Sequence, residues 1–129
     1  MSEPIWLDRE LVLALYEDIV VASGGAFGVR DEGLLESALA RPVNRFHYEG
    51  CDDLVELAAT YAAAISGNHP FIDGNKRVAF VAMGQFLDDN GLMLVAADDD
   101  ATAAMLGLAS GDADLATLTA WLRNVVARA

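Results

Sequence analysis

The sequence predicts an all-α fold, a single-domain helical bundle of about six helices that takes in residues 1–129. Three observations lead to this prediction. A chain of 129 residues has room for one domain with one hydrophobic core. Hydrophobic residues make up 54% of it, and most are the small and straight-chain types that favour helix over strand. They also recur at helical spacing between recognisable start and stop signals.

The first two helices are predicted from such signals. The first runs from about Asp8, a plausible N-cap, to about Ala22, where a pair of glycines follows. The second is short and covers residues 32–40, because Pro42 is expected to stop it. Residues 43–51 would then form a connector.

The third helix is predicted from Asp53 to about Gly67, since residues 53–56 resemble a capping box. The fourth begins near Gly74, and an Asn-Gly pair at residues 90–91 is a good stop signal. The rest of the chain is predicted as a short extended stretch and two further helices, over residues 92–97, 100–109 and 114–127.

The third and fourth helices stand out because their middles carry no charge. Residues 57–65 and residues 78–87 contain no Asp, Glu, Lys or Arg. A helix that is apolar on every side is normally buried. We therefore expect these two helices to be the central ones, and the loop that joins them, residues 66–73, to lie at the centre of the fold.

The charge balance excludes one class of function. The chain has 20 acidic and 8 basic residues, a net charge of −12. Such a molecule repels a phosphate backbone, which argues against a general nucleic-acid binder or a toxin directed at nucleic acid. Lys76 is the only lysine and stands beside Arg77. A cationic pair next to a glycine, in an acidic chain, predicts a local anion site.

The compartment is predicted from what is missing. The longest uncharged stretch, residues 57–72, is too short to span a bilayer. No apolar region typical of a signal peptide is visible at the N-terminus. Cys51 is the single cysteine, which excludes an internal disulfide and fits a reducing compartment. The cytoplasm is the expected location.

Residues 69–77 concentrate the chemistry of the chain. His69 precedes a proline, so it lies where the third helix has ended, and it suits proton transfer near neutral pH. Asp73 is expected to cap the fourth helix, and it also suits a magnesium ion that bridges phosphates. Gly74 lets the backbone approach a ligand, and the first helical turn offers N–H donors to an anion.

Lys76 and Arg77 break a local rule. Cations in the first turn of a helix are disfavoured by its dipole, by about 0.3–1 kcal/mol each. If a polyphosphate lies against that turn, the dipole, the N–H groups and both cations act together. A departure from local preference at a single place is where function is expected.

Each of these residues also has a plain structural interpretation. His69 could be an ordinary loop histidine, Asp73 only an N-cap and Gly74 simple turn chemistry. Lys76 and Arg77 could pair with Asp73 or with another acid. The joint occurrence of all of them within nine residues, between two buried helices, favours the functional interpretation.

The segment resembles the signature of the Fic/Doc superfamily, whose pattern is His-x-Phe-x-Asp/Glu-Gly-Asn-Gly/Lys-Arg. Residues 69–77 fill every specified position. Upstream, residues 28–42 are similar to the segment typical of the death-on-curing (Doc) branch. With a similar length and helix order, the resemblance covers nearly the whole chain and implies the all-α Fic/Doc fold.

The resemblance also implies roles. The family's motif histidine, here His69, activates a hydroxyl of a target protein, and the motif acid, here Asp73, binds Mg²⁺. The backbone from Gly74 onward, with Asn75 and Arg77, holds the phosphates of ATP. Together with the anion site argued above, this gives a predicted general base, metal ligand and phosphate clamp: His69, Asp73, and Lys76 with Arg77.

Two departures from the AMP-transferring Fic pattern point to a kinase. That pattern has Gly where this chain has Lys76, and a second Arg where it has Phe80. In both positions the chain is similar to the Doc branch. The resemblance therefore implies a kinase that phosphorylates elongation factor Tu and arrests translation. AMP transfer by the same site, or a catalytically inactive module that acts by binding alone, remain alternatives.

Regulation and substrate docking are also expected from the resemblance. No Ser or Thr is followed by Glu four positions later, so the inhibitory helix of many Fic enzymes is not expected. A partner antitoxin with a helical tail would inhibit the protein instead. Residues 43–51 correspond in position to the flap that docks target proteins, where Arg45, His47 and Tyr48 could contact a substrate; a solvated connector is the alternative.

Overall fold

The structure is a computed structural model that describes residues 2–110 and 114–129. Within these residues it has six helices and one two-stranded sheet, so the all-α fold is confirmed. The elements, in chain order, are α1 (Arg9–Ser23), α2 (Glu32–Glu49), α3 (Leu54–Asn68), α4 (Asn75–Asp89), β1 (Leu92–Leu94), α5 (Asp98–Ser110), α6 (Leu115–Val125) and β2 (Val126–Arg128).

Carboxylate caps start four of the helices. Asp8 accepts a hydrogen bond from the backbone N–H of Leu11 at 2.8 Å, and Asp53 accepts from Val55 at 3.0 Å. These bonds satisfy donors that a helix leaves unpaired at its first turn. The starts predicted for α1 and α3 are therefore confirmed. The same bond is made at the starts of α2 and α6 by Asp31 and Asp114.

The predicted end of the second helix is wrong. α2 continues through Pro42 to Glu49, so most of residues 43–51 are helical rather than a connector. Proline inside a helix removes one hydrogen bond and costs about 3 kcal/mol or more. Leu35, Ala38 and Pro42 are all buried and follow each other at helical spacing. Burial of this stripe in the core offsets the cost of the proline.

The core is built around α3, as the uncharged stretch predicted. α3 packs against α2, α4, α5 and α6. Residues 57–62 of α3 are all buried, and so are Val78, Ala79, Ala82 and Met83 of α4. The loop between these helices is consequently held on both sides by the best-packed part of the molecule.

The end of the chain differs from the prediction. Residues 126 and 127 were expected to continue the last helix, but with Arg128 they form β2, which pairs antiparallel with β1, Leu92 opposite Arg128. The extended stretch predicted after α4 is β1. In the part of the chain that the structure describes, no helix combines the length and the apolar character that crossing a bilayer requires.

Candidate active site

The loop between α3 and α4 is fixed to the segment that follows α1. Val29 and Phe71 form an antiparallel bridge, and the N–H of Ile72 donates to the carbonyl of Gly28 at 2.9 Å. Phe71 is fully buried and stacks on Tyr16 with ring centroids 4.0 Å apart. These contacts fix the loop to the rest of the fold, and Phe71 anchors it in the core.

His69 ends α3 in an unusual backbone conformation. It is the C-cap residue, with φ 53° and ψ 52°, and the only non-glycine residue with positive φ in the described ranges. This left-handed region is costly for a residue with a Cβ atom. The conformation turns the chain sharply, and the exposed side chain of His69 lines a cavity.

Asn75 holds the imidazole of His69 and the loop together. The amide oxygen accepts from the N–H of Phe71 at 3.0 Å, and the amide nitrogen donates to the carbonyl of Phe71 at 2.9 Å. The same nitrogen lies 3.0 Å from Nδ1 of His69. Because the two Phe71 bonds fix which amide atom is nitrogen, Nδ1 is the acceptor, and a neutral ring carries its hydrogen on Nε2.

The start of α4 has no side-chain cap. Its N-cap is Gly74, with φ 79° and no side-chain hydrogen bond. The expectation that Asp73 caps this helix is therefore wrong. The carboxylate of Asp73 accepts instead from the N–H of Gly74, one residue before the helix, at 2.9 Å. As a result, the backbone N–H groups of the first turn lack a side-chain acceptor, as an anion site requires.

Lys76 and Arg77 are exposed on that first turn. Among the described residues, neither forms an ion pair with Asp73 or with any other acid. The alternative interpretation, that these cations merely pair with nearby carboxylates, is therefore wrong for the described residues. Both charges remain available to a ligand.

One cavity of about 710 Å³ brings all the predicted site residues together. Its polar side consists of the loop and the start of α4, and its apolar side comes from α1, α4 and α5. The lining includes His69, Asp73, Gly74, Asn75, Lys76 and Arg77, with Ile19, Val20, Phe80, Met105 and Leu106 on the apolar side. A cavity that joins cations and helix N–H groups to an apolar wall suits a ligand with a charged end and a flat apolar end.

Asp73 is the metal-ligand candidate in this cavity. One carboxylate oxygen bonds the N–H of Gly74, and the other lies against Gly25, where an added Cβ would come within 2.8 Å of it. No group of three His, Cys, Asp or Glu side chains in the described ranges could hold a metal ion. A single carboxylate fits Mg²⁺, which binds through one or two carboxylates together with substrate phosphates.

Comparison with known proteins identifies the family of the chain. Residues 6–87 match the profile of the Fic/DOC family, a stretch that includes the whole loop and most of α4. The chain belongs to the Fic/Doc family. It is 39% identical to "Toxin Doc" of Mycolicibacterium smegmatis over 96% of this chain and 95% of that protein. It is 32% identical to "Protein kinase doc" of Escherichia phage P1 over 92% of this chain and 94% of that protein.

Residues 43–51 were expected to be a docking flap or a solvated connector, but most of them belong to α2. Arg45 is only 13% exposed; its guanidinium bonds Glu56 at 3.0 Å and Thr60 at 2.8 Å. These contacts join α2 to α3, so Arg45 has a structural role. Nε2 of His47 lies 3.3 Å from Oε2 of Glu3. Tyr48 is 84% exposed. Of the three residues, Tyr48 is the one with a largely exposed side chain.

Arg30 contacts the end of α3 beside the cavity, and sequence reasoning missed this contact. Its Nε donates to the carbonyl of His69 at 2.8 Å, and its Nη2 donates to the carbonyl of Asn68 at 3.1 Å. The residues in contact are 38 and 39 positions apart. No local signal in the sequence indicates this pairing, although Arg30 lies in the segment that carried the resemblance to Doc.

Proposed function

We propose that the protein is the toxin of a toxin–antitoxin pair and transfers the γ-phosphoryl group of ATP to a Ser or Thr hydroxyl of a protein. One observation supports this most: an uncapped helix start with two unpaired cations faces the same cavity as His69 and Asp73. The names of the relatives, a toxin and a protein kinase, support both parts of the proposal.

The phosphates of ATP would lie against the first turn of α4. The free N–H groups of the turn and the positive end of the helix dipole attract an anion. Lys76 and Arg77 add two full charges at the same place, without acidic partners to displace. In phosphoryl transfer the chemistry needs mainly positioning and charge stabilisation, and these four contributions supply both. Asp73 would hold Mg²⁺, which neutralises charge on the phosphates.

His69 would act as the general base. It takes the proton of the acceptor hydroxyl while the hydroxyl oxygen bonds to the γ-phosphorus; the bond between that phosphorus and the β–γ bridging oxygen breaks, and ADP leaves. A neutral ring whose Nδ1 accepts from Asn75 carries its hydrogen on Nε2. For Nε2 to accept a proton, the ring must give up that hydrogen bond, at about 0.5–1.5 kcal/mol.

Two side chains favour γ-transfer over AMP transfer. Phe80 lines the cavity one turn after Arg77, where the AMP-transferring pattern has a second arginine, so a clamp of two arginines is missing. The lysine at position 76 fills space that a glycine would leave open. Both features favour a nucleotide whose γ-phosphate, rather than its α-phosphate, faces the acceptor.

Labelled ATP tests the reaction. The purified protein, ATP, Mg²⁺ and a bacterial lysate are incubated, with elongation factor Tu added in a parallel reaction as the proposed target. We expect label on protein from γ-labelled ATP and none from α-labelled ATP. Protein-bound α-label would instead identify AMP transfer.

A variant separates catalysis from binding. We expect His69→Ala to abolish both the γ-label and growth arrest on expression, whereas Arg41→Ala, a change on the exposed face of α2, preserves them. Growth arrest by His69→Ala would identify a binding-only module. We also propose an antitoxin as the partner, and its co-expression should relieve the growth arrest. Because a toxin that acts on translation with ATP needs both at hand, we propose the cytoplasm as its location.

A further inference from the structure

We propose that Arg30 is a positioning residue, which holds the end of α3 in the conformation that presents His69 to the cavity. The inference rests on the proposed function for what the imidazole then does. Arg30 does not line the cavity, so it is placed to act through His69 and not on the nucleotide.

The first step of the argument concerns the end of α3. The last carbonyls of a helix have no partner within it, and they form the negative end of its dipole. The guanidinium of Arg30 donates to two of them, at His69 and Asn68, at 2.8 and 3.1 Å. The planar guanidinium can reach two neighbouring oxygens at once, which a lysine ammonium does less well.

The second step concerns the backbone of His69. A non-glycine residue in the left-handed region costs about 1–3 kcal/mol and persists only where its surroundings hold it. Arg30 holds the carbonyl of His69, and Asn75 holds its ring at Nδ1. If the carbonyl contact is lost, the backbone can relax and the ring leaves the position in which Asn75 meets it.

The third step is that Arg30 is itself well fixed. Its backbone N–H donates to the carbonyl of Pro70 at 2.7 Å, and the N–H of Asp31 donates to the same oxygen at 3.1 Å. Asp31 also caps α2 by accepting from Leu34 at 3.0 Å. Within the described ranges Arg30 forms no ion pair, so no carboxylate competes for its guanidinium.

A spectroscopic experiment tests the positioning without depending on activity. The chain has two histidines, so a ¹H–¹⁵N spectrum of the imidazole nitrogens is simple, and His69→Gln identifies the His69 signals. We expect Arg30→Ala to shift those signals and Arg30→Lys to shift them less, because the lysine ammonium keeps the charge and can still donate to one of the two carbonyls. Arg41→Ala, which loses only an exposed pair with Glu49, should leave them unchanged.

Kinetics with γ-labelled ATP and bacterial lysate then test the consequence. We expect Arg30→Ala to lower kcat about 10- to 100-fold, the size of effect that misplacing a catalytic group produces, and to change the KM for ATP by less than about twofold. Arg30→Lys should recover part of kcat, and Arg41→Ala should match the wild type. Thermal unfolding of each variant identifies any that has lost its fold.

The outcomes decide between the two proposals. His69 signals that are identical in Arg30→Ala and the wild type overturn the positioning role, as does an unchanged kcat in a folded Arg30→Ala. If Arg30→Ala does not fold, the same readings from Arg30→Lys decide. A wild-type protein that transfers no label overturns the proposed function, and the ring signals still decide the role of Arg30.

Discussion

His69 combines a chemical role with a backbone conformation that glycine would adopt more easily. Its φ of 53° suits the C-cap position, where helices commonly end in a left-handed residue, usually glycine. The imidazole is therefore kept at a cost in stability. Such strain is common at functional sites, where the surrounding contacts hold it in place.

Replacing His69 in two ways should separate these contributions. We expect His69→Gly to be about 1 kcal/mol more stable than His69→Ala, because glycine accepts positive φ without the Cβ clash. Both variants lose the hydrogen bond from Asn75, so the difference in their free energies of unfolding measures only the cost of positive φ at this position. Urea unfolding measures it, and neither variant should transfer label. Equal stabilities would mean that φ at this position is not positive in solution.

Gly25 lines the cavity and lies against the carboxylate of Asp73. A Cβ at Gly25 would lie 2.8 Å from Oδ2 of Asp73 and 3.4 Å from its Cγ. We expect Gly25→Ala to push the carboxylate aside and to weaken binding of ATP in the presence of Mg²⁺, with little change in binding without Mg²⁺. Isothermal titration calorimetry with and without Mg²⁺ measures both.

Gly84→Ala is the matched control for that change. An added Cβ at Gly84 meets nothing within 4 Å, and alanine is favoured over glycine inside a helix by about 1 kcal/mol. The control should be more stable than the wild type and bind ATP with Mg²⁺ as the wild type does. If Gly25→Ala also binds normally, Asp73 does not hold the metal.

At the scale of elements, Asp53 joins two helices. It caps α3 and also accepts from Arg123 of α6 at 2.5 Å. Burial, the largest single influence, raises the pKa of the Asp53 carboxyl, but the bonds from Arg123 and from the backbone of α3 outweigh it, so the pKa lies below its ordinary value. A lowered pKa in the folded state means that the ionised carboxylate stabilises the fold.

The stability that Asp53 contributes should therefore depend on pH in a defined direction. It is fully present above the unfolded pKa of about 3.9 and is lost as pH falls through the lower folded value. Asparagine still caps a helix, so near neutral pH we expect Asp53→Asn to lower the free energy of unfolding by about 0.2–1 kcal/mol, the size of a partly exposed ion pair with Arg123. The difference in free energy of unfolding between the variant and the wild type should become smaller below about pH 4. Urea unfolding at a series of pH values measures the free energy of unfolding of each protein, with Asp52→Asn as the control. A difference between Asp53→Asn and the wild type that did not change with pH would contradict the prediction.

The elements show where sequence reasoning succeeds and where it stops. Capping residues such as Asp8 and Asp53 mark helix starts because the signal and its consequence lie within one turn. Pro42 misleads because the local cost of proline is offset by burial against the core, which no local pattern reveals. β2 was missed since its partner, β1, lies more than thirty residues away.

The site follows the same rule. His69, Asp73, Lys76 and Arg77 lie within nine residues, so the segment could be identified from sequence. The bonds from Arg30 and Asn75 to His69, and the free start of α4, depend on the exact path of the backbone. Those details decide how the imidazole is held, and only the structure provides them.

At the scale of the whole molecule, the charge of −12 and the cationic site have opposite consequences. Like charges repel within the compact state and destabilise it. Lys76 and Arg77, by contrast, attract an anionic ligand. Both effects weaken as salt shortens the Debye length from about 30 Å at 0.01 M to about 8 Å at 0.15 M.

Salt should therefore stabilise the protein and weaken its ligand binding at the same time. Between these two concentrations we expect the urea midpoint of the ligand-free protein to rise, since repulsion among twenty acidic residues is screened, while the affinity for ATP falls because attraction at α4 is screened too. Urea unfolding gives the midpoint and isothermal titration calorimetry gives the affinity for ATP, both on the same preparation. A matched osmolality of sucrose controls for excluded-solute effects, which would raise the midpoint without lowering affinity. If affinity were independent of salt, the phosphates would not lie against Lys76 and Arg77.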